Sequence, residues 1–146
     1  MRANPAMTDE TPTIDSNEQA GKARRLRILI VEDVLMIHEV VERSLSDLKA
    51  EFISVRDGLT ALDEIEEVLP DLIILDLALP VLDGWEVLRR LQSDQRTSGI
   101  PVVVMTAHGQ SGLEQDVKTL GASAYIDKPF RPSDLRSAVD HVLGLT

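Results

Sequence analysis

Short apolar runs rich in β-branched residues and leucine recur along the chain at Arg27–Val31, Phe52–Val55, Leu72–Leu75, Val102–Met105 and Ala124–Ile126. Three of them, at 28–31, 72–75 and 102–105, are continuously apolar rather than alternating. That is the pattern of strands covered on both faces. Between the runs, apolar positions fall at helical spacing. Ile37, Val41, Leu45 and Leu48 mark a first helix, and Leu62, Ile65 and Leu69 a second, with Gly58 before it and Pro70 closing it. Trp85, Leu88 and Leu91 mark a third, Leu113, Val117 and Leu120 a fourth, and Leu135, Ala138 (or Val139) and Val142 a fifth. Turn residues sit at the junctions: Asp57-Gly58, Pro70-Asp71, Asp83-Gly84, Ser98-Gly99, Gly121 and Pro129. Pro132-Ser133-Asp134 reads as the opening of the last helix.

Strand alternating with helix five times predicts a three-layer α/β sandwich. Right-handed crossovers favour a doubly wound, flavodoxin-like (βα)5 arrangement, with a parallel five-stranded sheet in the order 2-1-3-4-5. Residues 1–25 show no apolar periodicity and read as a flexible tail; residues 26–146 read as one domain with no output domain attached. The formal net charge of −10 changes the picture further. Acidic and basic groups cancel over residues 1–26, so the excess lies in residues 27–146, with 21 acidic against 11 basic side chains. Such a surface disfavours nucleic acid and anionic lipid. There is no cysteine, which excludes disulfides, thiolate metal sites and a cysteine nucleophile. No apolar run approaches the ~20 residues of a bilayer span, and the N-terminus has no signal-peptide core. A cytoplasmic protein is expected.

In sheets of this kind, ligands bind beyond the carboxyl ends of the strands, where the winding reverses. The first run ends in Glu32 and Asp33, the third in Asp76, the fourth in Thr106-Ala107 and the fifth in Asp127-Lys128-Pro129. Carboxylates brought together there repel one another and call for a cation. A ligand set of oxygens points to Mg²⁺ or Mn²⁺ rather than zinc. Lys128 and Thr106 can each engage a phosphoryl oxygen, and Asp76 is placed as a nucleophile forming an aspartyl-phosphate.

The motifs LRILIVED (26–33), LIILDLALPVLDGWEVL (72–88), VVVMTAHG (102–109) and AYIDKPF (124–130) together resemble the receiver domain of bacterial response regulators. The match runs over residues 27–143. Thr106 lies 30 positions after Asp76, and Lys128 lies 52 after it. The resemblance implies that Asp76 is the phosphoacceptor, Thr106 the switch hydroxyl and Lys128 the lysine of the site. It implies metal binding by Asp33, Asp76 and the backbone carbonyl of Ala78, with Glu32 acting through water. It also implies a cis Lys128-Pro129 bond, an inward-turning switch aromatic at Tyr125, and a signalling face over about residues 110–143. Ala78 and His108 fall where the family borders the path of attacking water, and Val34 is apolar where a polar residue is usual. His38 and His141 read as helix-surface residues.

These features imply a phosphorylation-activated switch of a two-component system or phosphorelay, not a turnover enzyme. Only self-phosphorylation from a phosphodonor and slow autodephosphorylation are expected. The donor would be a sensor histidine kinase or a histidine phosphotransfer protein, and the output a protein target in trans. The domain would be a monomer or a weak, phosphorylation-dependent dimer, with no nucleic-acid or membrane partner. A flavodoxin would need a phosphate-cradling loop where Glu32-Asp33-Val34 stands. A phosphatase with an aspartyl nucleophile would need an acid/base side chain at Ala78. The remaining alternative is a pseudo-receiver acting as a phosphorylation-independent interaction module.

Overall fold

Continuously apolar strands have side chains for both faces of a sheet, and the two faces need two helical covers. The computed structural model, which describes residues 25–107 and 113–145, shows that arrangement. Five strands, β1 (Arg27–Val31), β2 (Glu51–Val55), β3 (Leu72–Asp76), β4 (Val102–Ala107) and β5 (Ala124–Lys128), form one parallel sheet in the order β2-β1-β3-β4-β5. The helices are α1 (Leu35–Ser44), α2 (Gly58–Val68), α3 (Gly84–Gln92), α4 (Leu113–Thr119) and α5 (Pro132–Leu143). The expected (βα)5 sandwich in the order 2-1-3-4-5 is therefore present.

Alternation within each strand divides the core in two. Leu29, Val31, Ile73, Leu75, Val102 and Val104 pack with Ala61 and Ile65 of α2, Val87, Leu88 and Leu91 of α3, and Leu113 and Val117 of α4. Ile28, Ile30, Leu72, Ile74, Val103 and Met105 pack with Val41 and Leu45 on the α1 side and with Leu135 and Val139 of α5. Of the two positions open on α5, Val139 is the buried one and Ala138 only half-buried.

Three strands run further at their carboxyl ends than their apolar runs. Ladder pairing continues through Asp76↔Met105, Thr106↔Asp127 and Ala107↔Lys128, so Asp76, Thr106 and Lys128 belong to the strands themselves. The first helix is shorter than its apolar spacing suggests. It stops at Ser44, and Ser46–Leu48 tightens into a 3₁₀ turn before Lys49 takes a left-handed conformation at φ 54°. Its buried stripe is His38, Val41 and Leu45, while Ile37 is only half-buried.

Side-chain hydrogen bonds mark the starts of α2, α3 and α5. Asp57 accepts from Thr60 N at 2.8 Å to begin α2, and Asp83 accepts from Glu86 N at 3.0 Å to begin α3. The α5 start has Pro132 in its first position, and the Asp134 carboxylate accepts from the Arg131 backbone N–H at 3.3 Å.

Candidate functional site

The winding reverses between β1 and β3, and the carboxyl ends of these two strands carry Glu32, Asp33 and Asp76. One carboxylate oxygen from each lies within 4.8 Å of the others. Glu32 and Asp76 are buried and Asp33 is half-buried. The Glu32 backbone N–H donates to Val55 O at 3.1 Å, which extends the β1–β2 ladder into the acidic turn. The Ala78 N–H donates to Asp76 Oδ1 at 3.3 Å.

Lys128, at the end of β5, reaches across to both buried carboxylates. Its Nζ lies 2.6 Å from Glu32 Oε1 and 3.4 Å from Asp76 Oδ2. Burial raises the pKa of Asp76 above its usual value; the Lys128 charge opposes this and the Asp33 charge adds to it. Glu32 is raised as well, first by burial, against its hydrogen bond from Lys128. Three carboxylates and a single ammonium leave the cluster with excess negative charge. Close, partly desolvated oxygens of this kind suit a hard divalent cation.

Thr106 is buried at the end of β4, beside Asp127 in the strand register. Tyr125 is half-buried on the same face, and its hydroxyl donates to Asp127 Oδ1 at 2.7 Å. That hydrogen bond, aided by burial, pushes the phenol up to about 12. The Lys128-Pro129 peptide is cis, as expected. Ala78 is exposed, with no side-chain reach toward the carboxylates. His108 lies outside the described residues.

Two glycines let the loops close around the site. A Cβ on Gly84 would stand 2.4 Å from the Asp76 carbonyl oxygen and 2.6 Å from Leu77 Cα, so α3 can start against the Asp76 strand only with glycine there. A Cβ on Gly58 would stand 1.9 Å from Leu82 O in the β3–α3 loop. In that loop the β-branched Val81 sits at φ 71°, a conformation such residues rarely take.

Three contacts escape a reading of the sequence. His38 is buried rather than on the helix surface, and its Nε2 lies 2.6 Å from the Glu32 carbonyl oxygen. His141, by contrast, is exposed as expected. Arg56 donates from Nη2 and Nε to the Asp33 carbonyl oxygen at 3.1 and 3.3 Å. Val34, not an acidic residue, is the N-cap of α1, so neither Glu32 nor Asp33 caps that helix; Glu32 Oε2 instead accepts from Val34 N at 3.1 Å. The spacing His38, Val41, Leu45 was a signal for the first contact. Nothing local announces the Arg56 contact.

A family model described as the response regulator receiver domain matches residues 28–140. The sporulation initiation phosphotransferase F of Bacillus subtilis is 34% identical over 119 residues, covering 82% of this chain and 94% of that protein. A putative response regulator from Chloroflexus aurantiacus superposes with a TM-score of 0.78 at 30% identity, covering 83% of this chain and 99% of that one. The receiver domain of a sensor histidine kinase from Pseudomonas aeruginosa PAO1, solved with a magnesium ion coordinated in its active site cleft, gives a TM-score of 0.74 at 29% identity, covering 83% and 99%. The chain spans about half the length of several other relatives, transcriptional regulators among them. Among the described residues, no helix is long and apolar enough to cross a membrane.

Proposed function

The chain belongs to the response regulator receiver domain family, and from that premise we propose that Asp76 takes a phosphoryl group from a phosphohistidine donor and that the 110–143 face then binds a protein target. The observation that carries this reading is the buried Asp76 carboxylate held between Lys128 and the Glu32–Asp33 pair. In the transfer, the P–N bond of the donor imidazole is exchanged for a P–O bond on Asp76. Asp33, Asp76 and the Ala78 carbonyl, with Glu32 through water, would hold Mg²⁺, whose charge would offset that developing on the phosphoryl oxygens. Lys128 needs only to turn its ammonium from Glu32 and Asp76 toward a phosphoryl oxygen. The Thr106 hydroxyl donates to another, and Tyr125 turns inward behind it.

The rim of the site favours a protein donor. Val34, Leu35 and Met36 are 48%, 59% and 71% exposed at the start of α1, and Val81 is 73% exposed across the site. Apolar side chains grouped this way are suited to cover by another protein surface. The donor class is a sensor histidine kinase or a histidine phosphotransfer protein. Ala78 offers no acid/base group two residues after the nucleophile, so the chain carries out self-phosphorylation and slow autodephosphorylation rather than turnover. The acidic balance of residues 27–146 speaks against nucleic acid as this domain's own ligand. A phosphorylation-independent interaction module is not favoured, because it would have no use for three clustered carboxylates that are costly to bury.

The test compares wild type and Asp76→Asn at short times with each candidate histidine kinase. Labelling of wild type alone is expected; equal labelling of both would sink the assignment of Asp76.

A further inference from the structure

Asp33 has to present its carboxylate beside Asp76, yet no donor reaches that carboxylate among the described residues. Its backbone, in contrast, is held on both sides. The peptide plane joining Glu32 to Asp33 carries the Glu32 carbonyl, which receives His38 Nε2 at 2.6 Å. The plane joining Asp33 to Val34 carries the Asp33 carbonyl, which receives Arg56 at 3.1 and 3.3 Å. The N–H end of that second plane is also held, by Glu32 Oε2 at 3.1 Å. The two planes flanking a Cα set its φ and ψ, and therefore the direction of its Cα–Cβ bond.

We infer that His38 and Arg56 are positioning residues for Asp33, holding the two peptide planes on either side of it so that its carboxylate is aimed at the cation before the cation arrives. The inference rests on the metal-dependent reading of the site and adds two residues to it. A carbonyl only accepts, so Nε2 of His38 carries the proton in this bond. Nδ1 is left buried, with no hydrogen-bond partner among the described residues. A buried apolar side chain would avoid that cost. An imidazole here therefore implies a use for its Nε2–H, and the Glu32 carbonyl is the group it meets. Arg56 arrives from the other side, from the β2–α2 turn, so the acidic dipeptide is braced from two separate elements.

The test is Mg²⁺ binding by the full chain, measured by isothermal titration calorimetry, with urea unfolding to verify the fold. His38→Leu is expected to weaken Mg²⁺ binding about fivefold, as the loss of one net hydrogen bond implies. His38→Gln, whose amide can restore an N–H near the position of Nε2, is expected to bind within about twofold of wild type. Equal weakening by His38→Gln and His38→Leu would overturn the role of the donor, and unchanged binding in a folded His38→Leu would do the same.

Arg56→Ala separates position from charge, since removing a nearby cation should by itself tighten binding of another. Weaker binding in Arg56→Ala is expected, and tighter or unchanged binding overturns its part. This variant and His38→Gln keep the inference testable should His38→Leu fail to fold. Asp33→Asn is the control for the underlying reading. If it leaves Mg²⁺ affinity intact, the metal site itself is misassigned; if it weakens binding while His38→Leu and Arg56→Ala do not, only the positioning inference fails.

Discussion

Lys128→Met removes the ammonium that bonds both buried carboxylates. In the wild type, Nζ stands 2.6 Å from Glu32 and 3.4 Å from Asp76, and the lysine side chain is only 21% exposed. Breaking a buried ion pair by deleting one partner costs about 3–5 kcal/mol. The low end applies here, because the carboxylates can take up protons and the lysine keeps some contact with water. A loss of about 3 kcal/mol near pH 7.5 corresponds to a fall in Tm of about 10 °C for a domain of this size. The pH dependence follows from the direction of the shifts. Asp76 and Glu32 are both raised above their usual 3.8 and 4.5, chiefly by burial. The folded state therefore holds more protons than the unfolded one. The stability linked to these groups is complete below the unfolded values and is lost as pH rises through the folded ones. Without Lys128 the folded values rise further, so the deficit should shrink markedly between about pH 7.5 and about pH 5. Urea unfolding followed by circular dichroism, with chelator present, measures it. Adding Mg²⁺ near pH 7.5 should then stabilise the variant more than the wild type, because the ion replaces the missing positive charge. A deficit equal at both pH values, with an equal Mg²⁺ response, would show that Lys128 acts through packing and would refute this account.

Two further outcomes follow from the geometry. Gly84→Ala sets a Cβ against the Asp76 carbonyl and should cost about 3 kcal/mol, the upper range for overpacking, and slow phosphorylation of Asp76; thermal unfolding and phosphotransfer at short times check both. Asp127→Ala removes the acceptor that holds the Tyr125 hydroxyl, so the phenol should ionise nearer its ordinary value of about 10 than the wild-type value of about 12. The stability linked to that raised phenol is present below about pH 10 and is lost as pH rises through the folded value. The chain has a single tyrosine, so alkaline difference absorbance reports on it alone, and an unmoved midpoint would show that Asp127 does not hold it.

Most of the fold was legible because three of its strands, β1, β3 and β4, carry continuously apolar runs, a composition that few contexts other than a sheet covered on both faces tolerate. The strand ends were harder to place. Asp76, Thr106 and Lys128 close their runs as polar residues and so read as lying past the strands, although the ladder includes all three. The chemistry-bearing side chains were legible for the same reason, since a polar residue after a buried apolar strand stands out. His38 was not. A polar residue on a helix is by default assigned to water, and only the position of the Glu32 carbonyl beneath α1 makes its burial tolerable.

The contrast has a physical basis. A carboxylate, hydroxyl or ammonium does chemistry through a side chain that differs from its neighbours, and a sequence records that difference. His38 and Arg56 act on carbonyls, which every residue possesses, so the sequence holds no complementary mark of their targets. The same difference governs which substitutions the site should tolerate. Changing Asp76 or Lys128 alters the charge of the cluster, and every state of the switch feels it. Changing His38 or Arg56 leaves the three carboxylates and the lysine in place and alters only how well Asp33 is aimed. Such changes should grade metal affinity, and with it the rate of phosphorylation, without abolishing either. A receiver scaffold can in this way be tuned from outside its reacting groups, by residues that bond the backbone carrying them.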